Sequence, residues 1–280
     1  MAYTALIDCA TLDAHVDNPD WRVFDCRHQL SDVGYGEKAY REGHLPGAFF
    51  MHLDRDLSGP MTGRNGRHPL PDPAVLAGKL GAAGVSSQTQ VVAYDDVGGM
   101  IASRLWWLLR WLGHEHVAVL DGGIGQWLRE GRLLSSELPV SRPAASEWSC
   151  QTDWTVTSDD VMVNLETADF CVVDARGPDR FRGENETLDP VGGHIPGARN
   201  RFFGENLDAQ GCFRAAAELR REFQALFAGF SPERTVMQCG SGVTACHNLL
   251  AMEMAGLHGA RLYPGSWSEW CSDPSRPVAR

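Results

Sequence analysis

The sequence predicts an α/β protein made of two domains of the same kind. Three observations support this prediction: a length of 280 residues with 43% apolar content, a set of motifs that occurs twice, and short β-branched runs that alternate with longer helical patterns. A chain of this length favours two hydrophobic cores over one. Alternating strands and helices are typical of βαβ units, which form a parallel sheet with helices on both faces.

The duplication is visible as four landmarks that occur in the same order in each half of the chain. The paired landmarks are Val23–Arg27 with Val172–Arg176, Gly43–Ala48 with Gly193–Ala198, Val91–Tyr94 with Thr235–Gln238, and Gly122–Trp127 with Gly265–Trp270. Because the period is about half the chain, it indicates duplicated domains rather than a solenoid.

The boundary between the domains is predicted from composition. Residues 134–149 contain prolines and several serines and have no clear apolar period, which is typical of an exposed linker. We therefore expect a first domain at residues 1–133 and a second at residues 150–280.

Four segments illustrate the alternation of elements within the two copies. Val117–Leu120 and Phe170–Val173 are predicted as strands, whereas Ser103–Leu112 and Ala215–Phe227 have the apolar spacing of helices. In parallel sheets of this kind, ligands bind beyond the carboxyl ends of the strands. A functional site is therefore expected in a loop that follows a strand.

Composition argues against several classes of partner. The net charge of −11 disfavours binding to nucleic acid or to an acidic membrane surface. The longest apolar run, Leu105–Leu112, contains Arg110 and is too short to span a bilayer. Residues 1–10 lack a basic region followed by a long apolar stretch, so no secretory signal is expected. We expect a cytoplasmic protein with no nucleic-acid or membrane partner.

The eight cysteines are scattered without paired spacing, which fits reduced thiols better than a disulfide framework. No Cys-x-x-Cys or Cys/His ligand spacing occurs, so no metal site is predicted. Cys246 lies in the first turn of a predicted helix, close to the loop that begins at Cys239. It and the other cysteines outside that loop are interpreted as core or surface residues: Cys9, Cys26, Cys150, Cys171, Cys212, Cys246 and Cys271.

Cys239 differs from the others because it follows a predicted buried strand, Thr235–Gln238, and precedes a predicted helix, Thr244–Ala255. Glycines in the intervening turn let the backbone curl with its N–H groups pointing inward, and such a nest at a helix N-terminus binds anions. A nest of this kind stabilises a thiolate or a persulfide anion. The loop residues predicted to bind this anion are Gly240, Gly242, Val243 and Thr244.

The chain resembles the rhodanese family of sulfurtransferases over nearly its whole length. The resemblance is carried by the loop Cys-Gly-Ser-Gly-Val-Thr-Ala that begins at Cys239, by both Gly-His-x-Pro-Gly-Ala motifs and by both Asp-x-Arg strands. It implies two rhodanese-like domains, of which the first is inactive because Asp95 stands where the second has Cys239. It also implies a double displacement through a Cys239 persulfide, with no cofactor.

Further residues are assigned by the resemblance. It implies that Ser241 works with His68 and Asp54 to move the proton of a thiol-bearing donor, which a hydroxyl, an imidazole and a carboxylate can do. It also implies that Arg180 binds the donor's anionic group, for which the guanidinium fork is suited. The expected partners are a small anionic sulfur donor and an acceptor that is cyanide, a small thiol or a protein thiol.

The donor is predicted to be 3-mercaptopyruvate, because the Cys-Gly-Ser-Gly loop is neutral and is similar to that of the 3-mercaptopyruvate sulfurtransferases. Thiosulfate-specific rhodaneses typically have basic residues after the cysteine. One feature disagrees: residues 184–190 contain no second carboxylate-binding arginine, although Arg182 could take its place. Thiosulfate therefore stays the alternative donor.

Two other functions compete with sulfur transfer. A cysteine-dependent phosphatase needs an arginine six residues after the cysteine to hold the phosphate, and Ala245 stands there. A non-enzymatic rhodanese-like binding module is the second alternative, and the presence of Cys239 in an intact loop argues against it.

Overall fold

The computed structural model describes residues 2–280, which form two compact units. The first unit comprises the residues up to Gly59, Pro71–Gln151 and Asp208–Phe213. The second comprises Pro60–Leu70, Thr152–Leu207 and Arg214–Arg280. The segment Pro60–Leu70 therefore belongs to the second unit, although it lies within the first copy of the repeat.

The first unit contains a sheet of five parallel strands in the order β1-β5-β4-β2-β3. Its strands are β1 (Leu6–Ile7), β2 (Trp21–Asp25), β3 (Phe49–Phe50), β4 (Gln90–Tyr94) and β5 (Val117–Leu120). Its helices are α1 (Cys9–Asp13), α2 (Tyr35–Glu42), α3 (Pro73–Ala82), α4 (Ala102–Trp111) and α5 (Gly123–Arg129).

The second unit contains four parallel strands in the order β7-β6-β8-β9. Its strands are β6 (Cys171–Asp174), β7 (Arg199–Asn200), β8 (Thr235–Gln238) and β9 (Arg261–Leu262). Its helices are α6 (Ser158–Thr167), α7 (Pro178–Phe181), α8 (Ala216–Phe227), α9 (Thr244–Met254) and α10 (Ser266–Trp270). Short 3-10 turns occupy Thr152–Trp154, Phe203–Asn206 and Pro232–Arg234. The predicted α/β architecture with two parallel sheets is confirmed.

Each unit buries its own apolar core. The core of the first unit includes Val92 on β4 and Trp127 on α5, and that of the second includes Val236 on β8 and Trp267 on α10. Helix starts follow from the local sequence: the Asp72 carboxylate accepts two backbone N–H groups at the first turn of α3, and Thr157 forms a capping box at α6. The central strands are buried on both faces, as expected for parallel sheets covered by helices.

The Asp-x-Arg motif forms the same ion pair in both units. Arg27 Nη2 donates to the Asp25 carboxylate at 2.6 Å and to the Gly43 carbonyl at 2.7 Å. Arg176 donates in the same way to Asp174 and to the Gly193 carbonyl, both at 2.7 Å from Nη2. These arginines connect the end of a strand to the Gly-His-x-Pro-Gly motif, so both are structural.

The predicted linker, residues 134–149, is described throughout and contains no helix or strand. Contacts assign it to the first unit, and its role as the boundary between domains at 1–133 and 150–280 stays a prediction. Among residues 2–280, no helix combines the length and the apolar character needed to cross a bilayer.

Candidate active site

Cys239 directly follows β8, at the carboxyl end of a strand that lies between β6 and β9. The chain turns sharply and enters α9 at Thr244. Gly242 makes this turn possible: its φ is +78°, and a Cβ there would lie 2.4 Å from the Pro264 carbonyl oxygen. No other residue type fits both constraints without strain.

The start of α10 holds the back of the Cys239 loop. The Cys239 N–H donates to Ser266 Oγ at 3.1 Å, and the Cys239 carbonyl accepts the Trp267 N–H at 3.0 Å. The Gly240 carbonyl accepts the Ser268 N–H at 2.9 Å. Ser266 is fully buried and has a φ of +53°, which a serine rarely adopts. We did not identify Ser266 from the sequence, because its role depends on a backbone conformation.

The matching loop of the first unit shows that backbone N–H groups of such a turn converge on one side chain. The Asp95 carboxylate accepts the N–H groups of Val97 and Gly99 at 2.9 and 2.8 Å, and those of Ile101 and Ala102 at 2.7 and 2.9 Å. Burial raises the pKa of Asp95 even though the four amides act in the opposite direction. The first unit thus fills its nest with its own anionic side chain.

The equivalent loop of the second unit carries Cys239 where the first has Asp95. Its turn is two residues shorter, because α9 begins five residues after Cys239 whereas α4 begins seven residues after Asp95. The predicted amides of Gly240, Gly242, Val243 and Thr244 lie in this turn and at the first residue of α9. A persulfide terminal sulfur is an anion of similar reach to a carboxylate oxygen. The internal comparison therefore supports the prediction that this loop stabilises a sulfur anion on Cys239.

The structure places Ser241 next to His68. Ser241 Oγ and His68 Nδ1 share a hydrogen bond of 2.7 Å, and both residues are buried. His68 reaches Ser241 because the segment Pro60–Leu70 lies on the second unit. Gly66 packs closely against Gly265: a Cβ on Gly66 would lie only 2.7 Å from the Gly265 carbonyl oxygen, and the φ of Gly66 is +82°. A glycine is therefore needed at this position.

Asp54 lies in the first unit, in the turn after β3. Its N–H donates to His52 Nδ1 at 3.1 Å, and its carboxylate lies 4.0 Å from the same nitrogen. The participation of Asp54 in a relay with Ser241 and His68 stays a prediction.

Asp54 also belongs to a group of three potential metal ligands. Atoms of His28, His52 and Asp54 lie within 4.8 Å of one another. However, His52 Nε2 donates to the Val33 carbonyl at 3.1 Å, and His52 Nδ1 accepts the Asp54 N–H. Because both nitrogens of His52 are engaged, this group does not present a metal site.

An ion network surrounds Arg180. Its Nε and Nη2 donate to Glu186 at 3.0 and 2.8 Å, and Nη2 lies 3.4 Å from the Asp189 carboxylate. Burial alone would raise the pKa of Glu186, but hydrogen bonds from Arg180 and from the Leu188 backbone lower it. Arg180 is therefore held in one orientation by a buried carboxylate.

Arg67 is a residue of this site that we missed in the sequence. Its Nη1 donates to the Asp189 carboxylate, and its backbone N–H donates to Ser268 Oγ at 3.0 Å. Its position next to His68 was the only sequence signal available. Arg182, which the sequence offers as a second anion-binding arginine, instead pairs with Glu184 and has a side chain 53% exposed.

Comparison with known proteins identifies the family. The sequence model of the rhodanese-like domain matches residues 8–130 and 157–273. A Pseudomonas aeruginosa protein named "Probable 3-mercaptopyruvate sulfurtransferase" is 46% identical, covering 100% of this chain and 99% of that one. "Thiosulfate sulfurtransferase" of Cricetulus griseus is 36% identical over 90% of this chain and 85% of its own length.

The fold agrees with these sequence matches. The crystal structure of SseA from Escherichia coli, described as a 3-mercaptopyruvate sulfotransferase, superposes with a TM-score of 0.80 at 30% identity. The superposition covers 95% of this chain and 99% of the SseA chain. The chain belongs to the rhodanese family. Since its relatives are sulfurtransferases over their full length, it is an enzyme of the sulfurtransferase class.

Proposed function

We propose that this sulfurtransferase takes a sulfur atom from 3-mercaptopyruvate and passes it to a thiol or cyanide through a persulfide on Cys239. The observation that carries the proposal is the hydrogen bond between Ser241 Oγ and His68 Nδ1. A buried hydroxyl and imidazole beside the Cys239 loop form a path for the proton of a thiol-bearing donor. Thiosulfate has no such proton.

In the first half-reaction, the Cys239 thiolate attacks the sulfur of 3-mercaptopyruvate. An S–S bond forms and the C–S bond breaks, with its electron pair going to the carbon. The donor's thiol proton passes by way of Ser241 and His68 to that carbon, which leaves as the methyl group of pyruvate. Cys239 keeps the sulfur as a persulfide anion, and no oxidant or cofactor is consumed.

In the second half-reaction, an acceptor removes the terminal sulfur. Cyanide leaves as thiocyanate, and a thiol leaves as a persulfide, while Cys239 returns to the thiolate. The loop amides at Gly240, Gly242, Val243 and Thr244 stay as the proposed sulfur-binding groups, Arg180 as the proposed donor-binding residue, and Asp54 as the proposed third member of the relay. Free thiols at all eight cysteines favour a reducing compartment, so we place the enzyme in the cytoplasm.

Thiosulfate is a second candidate donor. Arg67 places a positive charge near Gly240 that the loop itself does not supply, and a positive charge favours an attack that expels sulfite. A relative named for thiosulfate shares 36% identity. A test of the proposal therefore has to compare the rates with the two donors.

Steady-state kinetics on both donors tests the proposal. In the wild type we expect a higher kcat/KM for 3-mercaptopyruvate than for thiosulfate. Ser241→Ala should lower kcat/KM for 3-mercaptopyruvate by about 100-fold, as expected when a proton-transfer group is lost, and that for thiosulfate only slightly. Cys239→Ser should abolish both reactions, because a hydroxyl cannot hold a transferable sulfur.

Ser275→Ala is the matched control, since Ser275 is exposed and, among residues 2–280, forms hydrogen bonds with Asp273 alone. A wild-type preference for thiosulfate would replace the first donor with the second. Equal losses of both activities in Ser241→Ala would show that this hydroxyl moves no donor proton.

A further inference from the structure

We propose that Arg67 is a second donor-binding residue, which together with Arg180 holds the anionic group of the sulfur donor beside Cys239. This inference rests on the proposed function, because it takes the donor to be a small anion attacked by Cys239. The anionic group is a carboxylate in 3-mercaptopyruvate and a sulfonate-like group in thiosulfate. Both accept paired hydrogen bonds from guanidinium groups.

The two guanidinium groups lie against the residue that follows the nucleophile. A Cβ placed on Gly240 would lie 2.9 Å from Arg67 Nη2, and 3.7 and 3.8 Å from Nη2 and Nη1 of Arg180. Since Gly240 has no side chain, the backbone beside Cys239 faces both arginines directly. An anionic donor whose sulfur meets Cys239 therefore has two positive groups within a few ångströms.

Both arginines keep unused hydrogen-bond donors on this side. Arg67 Nη1 bonds to Asp189, and Arg180 Nε and Nη2 bond to Glu186. Within residues 2–280, Arg67 Nη2 and Arg180 Nη1 have no acceptor. Arg67 Nη2 is the nearest atom to a Cβ built on Gly240, and Arg180 Nη1 lies nearly as close to that position as the engaged Arg180 Nη2. One unengaged nitrogen of each arginine therefore lies beside the residue that follows Cys239.

The pair is also held in place before a donor binds. The two oxygens of the Asp189 carboxylate face Arg67 Nη1 and Arg180 Nη2, so one carboxylate fixes both guanidinium groups. Holding the groups in advance lowers the entropy lost on binding. The Asp189 side chain is only 3% exposed, so the surroundings are poorly hydrated. Burial accordingly raises the pKa of Asp189, although both arginines oppose the shift. Contacts to an anion are strong in such surroundings.

Arg67→Gln tests the proposal through the separation of KM from kcat on each donor. Loss of one charge-assisted contact should raise KM by about 10- to 100-fold while kcat changes by less than about threefold. Arg67→Lys should give an intermediate KM, because a lysine keeps the charge and the pairing with Asp189 but lacks the fork. Arg220→Gln, on α8, is the control for a lost surface arginine and should leave both constants unchanged.

The outcomes separate this inference from the proposed function. A wild type that does not turn over 3-mercaptopyruvate contradicts the proposed donor, and the thiosulfate arm then still tests Arg67. The inference is overturned if Arg67→Gln has the same KM as the wild type for the donor that the enzyme uses. It is also overturned if KM rises in Arg182→Gln and not in Arg67→Gln. If Arg67→Gln does not fold, the KM of Arg67→Lys decides in the same way.

Discussion

At the scale of single residues, Ser266 shows how the copy that contains Cys239 differs from the copy that contains Asp95. Gly123 occupies the matching position in the first unit with a φ of +54°, where a Cβ would lie 2.2 Å from the Asp95 carbonyl oxygen. The second unit has a serine there at nearly the same φ, and its hydroxyl accepts the Cys239 N–H and donates to the Tyr263 carbonyl at 2.9 Å. A strained backbone angle is thus retained where it positions the nucleophile.

Replacing Ser266 separates the strain from the hydrogen bond. Ser266→Ala should lose about 1–3 kcal/mol of stability, because the buried Cys239 N–H loses its acceptor while the positive φ remains. Ser266→Gly loses the same acceptor but relieves roughly 1 kcal/mol of backbone strain. We expect melting temperatures in the order wild type, Ser266→Gly, Ser266→Ala. Calorimetry checks this order, and an alanine variant as stable as the glycine variant would show that the φ of Ser266 stores no strain.

At the scale of elements, the strand–loop–helix unit is used twice with different contents. In the first unit the β4–α4 loop is closed around the Asp95 carboxylate, which is fully buried. In the second unit the β8–α9 loop is two residues shorter and has Cys239 in the position of Asp95. The Asp95 carboxylate is therefore a structural anion at the position where the other copy has Cys239, the proposed sulfur carrier.

Asp95→Ala should destabilise the protein without disabling it. Three buried N–H groups and the partly buried N–H of Val97 lose their acceptor together. The melting temperature should therefore fall by an amount that corresponds to more than about 2 kcal/mol. The rate of sulfur transfer per folded molecule should stay close to that of the wild type, since Asp95 lies in the copy without a nucleophile. Activity at a temperature well below the melting point measures this. A loss comparable to that in Cys239→Ser would overturn the assignment of one catalytic domain.

The segment Pro60–Leu70 is the element that sequence analysis could place least well. Strands β4, β5 and β8 were predictable as short β-branched or apolar runs of four or five residues. Helices α4 and α9 were predictable as longer, mainly apolar segments of ten and eleven residues. The two-residue strands β1, β3, β7 and β9 are too short to show any period. Residues 60–70 have no period either, and their position depends on contacts such as that between Arg67 and Ser268, 201 positions apart in sequence. Only the resemblance to the family identified His68, and nothing local identified Arg67.

At the scale of the whole molecule, the distribution of thiols agrees with one reactive cysteine. Burial raises the pKa of six thiols, to about 12 for Cys9 and about 11 for Cys271. The others in this group are Cys26, Cys150, Cys171 and Cys212. Cys246 is fully buried. A raised pKa supports the interpretation of six of these thiols as core or surface residues. Burial does not separate Cys246 from Cys239, because both are buried.

Alkylation of the native enzyme tests this distribution. At pH 7.5 we expect iodoacetamide to label about one cysteine, Cys239, because thiols with a raised pKa stay protonated until the pH approaches that higher value. Labelling of half-buried Cys150 and Cys212 should appear only as the pH is raised further. Prior incubation with a sulfur donor should add one sulfur atom, about 32 Da, to the labelled Cys239 peptide. Peptide mass spectrometry measures both, with Cys239→Ser as the control that loses the label. A sulfur atom found on Cys246, or faster labelling of Cys150 than of Cys239, would contradict the assignment of Cys239 as the sulfur carrier.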